Sequence, residues 1–154
     1  IVMGGGVGVS AHAPIRIATN NTVYAMPETG IGFFTDVGGS YFLPWLHDNI
    51  SSGLYLGITG FWLKGPEVLQ WGVATHFVDH SRIKELYEEL IKKTNKSSTL
   101  SDIWKIVDSC ADNSHASHPI ANLKEINYCF KCDSIHKIVE WLEEVKGGKV
   151  TGLS

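Results

Sequence analysis

The sequence begins with IVMGGGVG at residues 1–8, and this segment is the strongest indication of the fold class. Three apolar residues that run into three glycines are typical of a buried strand that ends in a tight turn. A strand needs a neighbour to satisfy its backbone N–H and C=O groups, and we expect that neighbour upstream of Ile1. The sequence therefore predicts that the chain is a piece of a longer protein.

The parts of the chain that follow differ in composition. Residues 1–48 are rich in glycine and poor in charge, whereas residues 81–146 carry many Lys and Glu residues with helical periodicity. Short apolar runs between turn residues predict strands in the first part. We therefore predict an α/β fold in which residues 1–80 form a core and residues 81–154 form a helical region of the same domain.

The composition excludes several classes of protein. With 154 residues, 44% of them apolar, the chain is long enough for one domain with a core. Its formal net charge of −3 lacks the basic excess of a nucleic-acid-binding protein. It contains no run of about 18 apolar residues that would cross a bilayer. Three cysteines, an odd number, argue against a disulfide framework. We expect neither nucleic acid nor a membrane as a partner.

The three glycines at residues 4–6, called the glycine turn below, admit two interpretations. The turn fails the nucleotide-binding fingerprints, because no Gly-Lys-Ser/Thr follows it and Val9 stands where the dinucleotide motif requires its third glycine. A turn that leads from a strand into a helix leaves free N–H groups, which suit a developing negative charge on oxygen. The alternative is a packing turn where a helix crosses close to a sheet.

Two carboxylates follow in the glycine-rich part. Glu28 ends an apolar run, and apolar neighbours would desolvate it, as a useful general base requires. The alternative is a glutamate that points into water at the end of a strand. Asp36 either faces the same site or serves as the N-cap of a helix that contains residues 40–43. The apolar neighbours of Glu28 in sequence are Met26, Ile31, Phe33 and Phe34.

Cysteines and histidines in the last third of the chain resemble a zinc set, and Cys129 and Cys132 have the C-x-x-C spacing. Cys129 also shares one helical face with apolar residues, so it is more simply explained as a small core residue. Because structural zinc sites usually pair two such knuckles, we predict no bound metal. The candidate ligands are Cys110, His115, His118, Cys129 and Cys132.

Three segments together resemble the crotonase superfamily and, within it, the family of 3-hydroxyisobutyryl-CoA hydrolases. They are GGGVGVS at 4–10, AMPET at 25–29 and GFFTDVGGSYFLP at 32–44. The similarity continues in LGITG at 56–60 and GVATHFV at 72–78. The resemblance implies that residues 1–80 are the second half of a crotonase-like ββα spiral core. It also implies that the N-terminal half is missing from this sequence.

The resemblance also implies roles for single residues. Gly5 would donate a peptide N–H to the oxyanion hole that holds the thioester carbonyl, Glu28 would be the main catalytic carboxylate, and Asp36 would face the acyl portion. A thioester has a good leaving group, so the enzyme mainly stabilises the oxyanion and supplies a base or a nucleophile. Glu28 could deprotonate water or attack directly, and both routes stay open.

The activity that the resemblance implies is hydrolysis of 3-hydroxyisobutyryl-CoA, and of 3-hydroxypropionyl-CoA, in valine catabolism. It implies no cofactor beyond the CoA of the substrate, a place in the mitochondrial matrix, and assembly into homo-oligomers. A second oxyanion donor and much of the CoA-binding surface would belong to the missing half. We therefore expect this chain alone to be inactive.

Two other functions stay open. The first is an enoyl-CoA hydratase or isomerase of the same superfamily. Hydratases carry a second glutamate at the place of Gly8, so Gly8 together with Asp36 favours the hydrolase. The second is a non-catalytic crotonase-like scaffold, which would tolerate the loss of Glu28 or Asp36, and both are present.

Overall fold

A computed structural model describes residues 1–131 and 134–147, without the side chains of residues 47 and 48. The strands are β1 (Val2–Met3), β2 (Ile17–Ala18), β3 (Val23–Ala25), β4 (Leu63–Lys64) and β5 (His76–Phe77). The first four α-helices are α1 (Gly5–Ser10), α2 (Gly39–Phe42), α3 (Ile50–Thr59) and α4 (Glu67–Gln70). They are followed by α5 (Ile83–Lys93), α6 (Leu100–Cys110), α7 (Leu123–Cys129) and α8 (Ile135–Lys146). Short 3-10 helices cover Glu28–Ile31, Leu43–Asp48, His80–Arg82 and Asn113–Ser117.

The strands form two small sheets. In the first, β1 lies parallel to β3, with Val2 opposite Tyr24, and β3 is antiparallel to β4. In the second, β2 lies parallel to β5. The expectation that β1 pairs with an upstream strand is wrong for this edge, because the chain crosses over through α1 and returns as β3. Within the described ranges, the other edge of β1 is unpaired.

The apolar core has two parts. The larger part joins α1, the first sheet and α3 to α7 and α8, which contribute Ile126, Cys129 and Ile138. At its edge, Asn49 Nδ2 donates to Asn127 Oδ1 at 2.6 Å and so ties the start of α3 to α7. The smaller part lies between α5 and α6. Its buried members are Val78, Leu86, Ile106, Val107 and Cys110.

The predicted α/β class with helices at the end is confirmed. The helical part is not a uniform outer layer, since α7 and α8 complete the main core while α5 and α6 enclose a core of their own. The boundary at residue 80, and the assignment of both parts to one domain, stay a prediction.

Helix α3 supports the loop that follows β3. An ideal Cβ on Gly60, at the end of α3, would lie 3.2 Å from Pro27 Cα. Farther along the loop, Thr35 Oγ1 donates to the Gly57 carbonyl at 3.0 Å. The same helix therefore fixes the backbone before Glu28 and the backbone before Asp36.

Candidate active site

Glu28 is a buried carboxylate. Only 8% of the residue is exposed, and its Oε2 is buried without a hydrogen-bond partner among the described residues. Its backbone carbonyl accepts from the Phe33 N–H at 3.0 Å, which closes the 3-10 turn that begins at Glu28. A carboxylate that points into water is therefore excluded for this residue in this structure. A buried acceptor without a partner is costly, so such a group is a candidate for contact with a substrate.

The apolar residues expected to desolvate Glu28 do so only in part. Met26 is buried, but Ile31 is 85% exposed and Phe34 is 70% exposed. The expectation is wrong for these two residues, whose side chains face solvent. Glu28 is instead covered from the side of the glycine turn.

Gly4 forms the contact between the glycine turn and Glu28. Its backbone has φ of 48° and ψ of −119°, a combination that residues with a Cβ avoid. An ideal Cβ on Gly4 would lie 3.0 Å from Glu28 Oε1. The position therefore requires glycine twice, for its backbone and for the close approach of the carboxylate.

Gly5 begins helix α1 directly after this contact. It is exposed, and a Cβ on it would meet nothing within 4 Å. The Gly4 carbonyl accepts from the N–H groups of Val7 and Gly8 at 2.9 and 3.3 Å. The first N–H groups of a helix have no intrahelical partner, so the Gly5 N–H is not used within α1. The geometry is compatible with an oxyanion donor, and that role stays a prediction.

Asp36 is not the cap of a helix. The N-cap of α2 is Gly38, and Asp36 contributes only its backbone carbonyl, which accepts from the Gly39 N–H at 2.7 Å. The expectation of a side-chain cap is wrong because Val37 and Gly38 both have positive φ and turn the chain before α2 begins. In the part of the chain that is described, Asp36 Oδ1 is buried and lacks a hydrogen-bond partner.

The candidate residues are linked through the glycine turn and helix α1. Gly4 touches Glu28, and Gly8, one turn farther along α1, lies against Val37, the residue after Asp36. An ideal Cβ on Gly8 would be only 2.6 Å from Val37 Cβ. Helix α1 therefore connects Gly5, Glu28 and Asp36 in one region, although they are far apart in sequence.

The sequence did not identify Tyr24 and Arg16 as residues that interact electrostatically near Glu28. Tyr24 is 3% exposed, and its hydroxyl is buried without a partner among residues 1–131 and 134–147. Burial raises the pKa of Tyr24, the negative charge of Glu28 raises it further, and Arg16 opposes this shift. A tyrosine inside a strand pattern gives no signal that separates it from an ordinary core residue.

The described candidate zinc ligands do not form a site. Cys110 and Cys129 are buried in the two separate parts of the core, and His115 packs edge-on against His118. Cys132 lies outside the described residues. No group of three or more His, Cys, Asp or Glu side chains suited to a metal occurs among the residues that the structure describes. The absence of a bound metal stays a prediction.

No helix in the described part of the chain is both long and apolar enough to span a bilayer. Several large aromatic side chains in the segment after Glu28 are exposed. Phe33 and Phe34 stack with ring centroids 4.4 Å apart, and Tyr41 and Trp45 are 71% and 70% exposed.

The chain matches a known family over nearly its whole length. Residues 1–151 match the family model for enoyl-CoA hydratase/isomerase.

Curated relatives are mitochondrial 3-hydroxyisobutyryl-CoA hydrolases. The protein of this name from Danio rerio is 46% identical over 94% of this chain and 38% of its own length. Those from Dictyostelium discoideum and Homo sapiens are 48% and 41% identical over 92% and 94% of this chain. These matches cover 36% and 38% of the two relatives. The chain thus spans little more than a third of the length of these relatives.

Solved structures agree on the fold. A carnitinyl-CoA dehydratase from Mycobacterium thermoresistibile superposes with a TM-score of 0.74 at 31% identity, over 100% of this chain and 42% of that one. An enoyl-CoA hydratase from Mycobacterium smegmatis superposes with a TM-score of 0.53 at 18% identity, over 70% of this chain and 49% of that one. The second similarity concerns the fold alone.

Proposed function

The chain belongs to the enoyl-CoA hydratase/isomerase family, and on that premise we propose that it is part of an acyl-CoA thioester hydrolase. The observation that carries the proposal is the buried Glu28 carboxylate, which lies against the glycine turn where α1 begins. Among the described residues, one of its oxygens has no hydrogen-bond partner. The proposal is supported by this contact, because a base or nucleophile next to backbone N–H groups suits the formation of an oxyanion. Both are required for attack on a thioester carbonyl.

The chemistry needs one carboxylate and one oxyanion donor set. Glu28 deprotonates a water molecule that attacks the carbonyl carbon, or attacks it directly to form a mixed anhydride that water then hydrolyses. In either route negative charge develops on the carbonyl oxygen, and the Gly5 N–H stabilises it. The C–S bond then breaks, and the thiolate of CoA leaves. No further cofactor is needed for these steps.

Gly8 supports hydrolysis over hydration. Hydratases of this superfamily resemble the present sequence but carry a second glutamate at this place. Here Val37 occupies the space that a side chain at position 8 would need. Hydration remains the second candidate function, because the carnitinyl-CoA dehydratase superposes well on this chain.

We propose 3-hydroxyisobutyryl-CoA as the substrate and the mitochondrial matrix as the location. The names of the curated relatives contain this substrate and the word mitochondrial. 3-Hydroxypropionyl-CoA, which has the same 3-hydroxyacyl group without the methyl branch, would fit the same site. Asp36 would orient the substrate hydroxyl, which its buried, unpartnered oxygen suits. Assembly into homo-oligomers is part of the proposal and rests on the family alone.

The chain alone should not cleave the substrate. Its relatives are more than twice its length, and its first 48 residues expose large apolar side chains that a further segment would cover. Release of CoA thiol from 3-hydroxyisobutyryl-CoA, measured with a thiol reagent, should be absent for residues 1–154 and present for the full-length protein. Turnover by residues 1–154 within about tenfold of the full-length protein would contradict this expectation.

Asp36→Asn should lower hydrolysis of 3-hydroxyisobutyryl-CoA by roughly tenfold, the effect of losing one hydrogen bond to a charged group. The cost should shrink for isobutyryl-CoA, which lacks the hydroxyl and is the matched control. Steady-state kinetics on both substrates measure the two effects. An equal loss on both substrates would show that Asp36 does not recognise the hydroxyl.

A further inference from the structure

Val37 has an unusual backbone conformation. Its φ is 46°, in the left-handed region that β-branched residues avoid because the Cβ crowds the backbone. In residues 1–131 and 134–147, the other non-glycine residue with positive φ is Asn122, a residue type that tolerates this region. A strained conformation persists only where the surrounding structure imposes it, and such residues concentrate at functional sites.

Helix α1 imposes the conformation from one side. The Cβ and both Cγ atoms of Val37 would lie 2.6, 3.0 and 3.2 Å from an ideal Cβ on Gly8, so the valine rests directly on the helix backbone. Glycine at position 8 is what allows this approach. The contact joins the loop that carries Asp36 to the helix that begins with Gly5.

The loop that carries Asp36 is also held by contacts of the residues on both sides of Val37. Gly39 is buried against Thr35 Cγ2 and Met26 Cε, and its N–H donates to the Asp36 carbonyl. Thr35 is bound in turn to the Gly57 carbonyl of α3. With residues 35 and 39 held, a relaxation of Val37 to negative φ would have to move Asp36 or Gly38.

We propose that Val37 is a positioning residue. Through its contact with Gly8 it fixes the position of the Asp36 carboxylate relative to Gly5 and Glu28. The inference rests on the proposed function, because it assigns Asp36 to the site of acyl transfer. Val37 itself touches no reacting atom. Its strained backbone is the consequence of a loop that is pressed onto α1.

Four variants of the full-length protein test this proposal by their kcat and KM for thioester cleavage. Val37→Gly removes the contact and should lower kcat by roughly 10²-fold, as small misplacements of catalytic groups do, with little change in KM. Val37→Ala keeps the Cβ on Gly8 and should retain most of the activity. Asn122→Gly also removes a side chain at positive φ, but away from the site, and should leave kcat unchanged. Gly8→Ala should lower kcat because its Cβ displaces Val37.

The double variant separates positioning from a general loss of stability. In the Val37→Gly background the added Cβ of Gly8→Ala has nothing to displace, so the two losses of kcat should not add. Thermal unfolding of Val37→Gly should stay close to that of the wild type, because relief of strain offsets the lost contact. Wild-type kcat in Val37→Gly, or losses that add fully, would overturn the proposal.

A readout that is independent of activity keeps this test distinct from that of the proposed function. In protein with ¹³C-labelled aspartate carboxyl groups, the Asp36 signal, assigned with Asp36→Asn, should shift in Val37→Gly and stay in place in Asn122→Gly. If the wild type cleaves no thioester, the proposed function fails while this measurement still decides the role of Val37. An Asp36 signal that does not move in Val37→Gly overturns the inference.

Discussion

Replacement of Glu28 by glutamine should lower the hydrolysis of 3-hydroxyisobutyryl-CoA by ~10²–10⁴-fold, the range for loss of a general acid–base group. Glutamine has the size of glutamate and fits the same buried position, but it can neither accept the proton of water nor attack the thioester. The kcat of the full-length protein, wild type against Glu28→Gln, measures the effect.

The matched control is Glu88→Gln. Glu88 is a glutamate on α5 with a 69% exposed side chain, and its replacement removes the same charge from the surface. Its kcat should equal that of the wild type. Binding of acyl-CoA, measured by calorimetry, should be nearly unchanged in Glu28→Gln, because the proposed role of Glu28 is in the chemical step. A Glu28→Gln variant with intact turnover would show that this carboxylate is not the catalytic one.

Gly4→Ala should damage both stability and activity. The backbone at Gly4 lies where a Cβ is strained, which costs about 1–3 kcal/mol of folding free energy. The same Cβ would lie 3.0 Å from Glu28 Oε1 and displace the carboxylate. Because small misplacements of reacting groups are costly, we expect a loss in kcat of roughly 10²-fold. Denaturant unfolding and steady-state kinetics measure the two effects.

Gly30→Ala is the control for this prediction. Gly30 lies in the same 3-10 turn as Glu28, but a Cβ on it would meet nothing within 4 Å and its φ is not in the left-handed region. Its replacement should change neither unfolding nor kcat appreciably. If Gly4→Ala behaved like Gly30→Ala, the contact between the glycine turn and Glu28 would contribute neither to stability nor to kcat.

Local patterns predicted the elements of this fold well. The apolar run into glycines at residues 1–8 is a strand, a turn and a helix, and the helices at the end of the chain are present. These features depend on neighbours in sequence, which a local pattern records. Glu28 is buried as predicted, but Ile31 and Phe34, which were expected to cover it, are exposed.

Features that depend on distant residues could not be predicted. The partner of β1 is a strand beyond a crossover, and no local pattern records which strands pair. Asp36 matched a cap residue by type, but Val37 after it has a positive φ and packs against a helix far earlier in the chain. Phe34 is 70% exposed, which its apolar character does not reveal.

The most direct test of the central proposal is a comparison of two rates. The full-length protein is given 3-hydroxyisobutyryl-CoA in one assay and crotonyl-CoA in another, and CoA release and hydration of the double bond are followed. A thioester hydrolase with Glu28 as its catalytic carboxylate should cleave the first substrate faster than it hydrates the second. Faster hydration of crotonyl-CoA would contradict the hydrolase assignment and favour a hydratase.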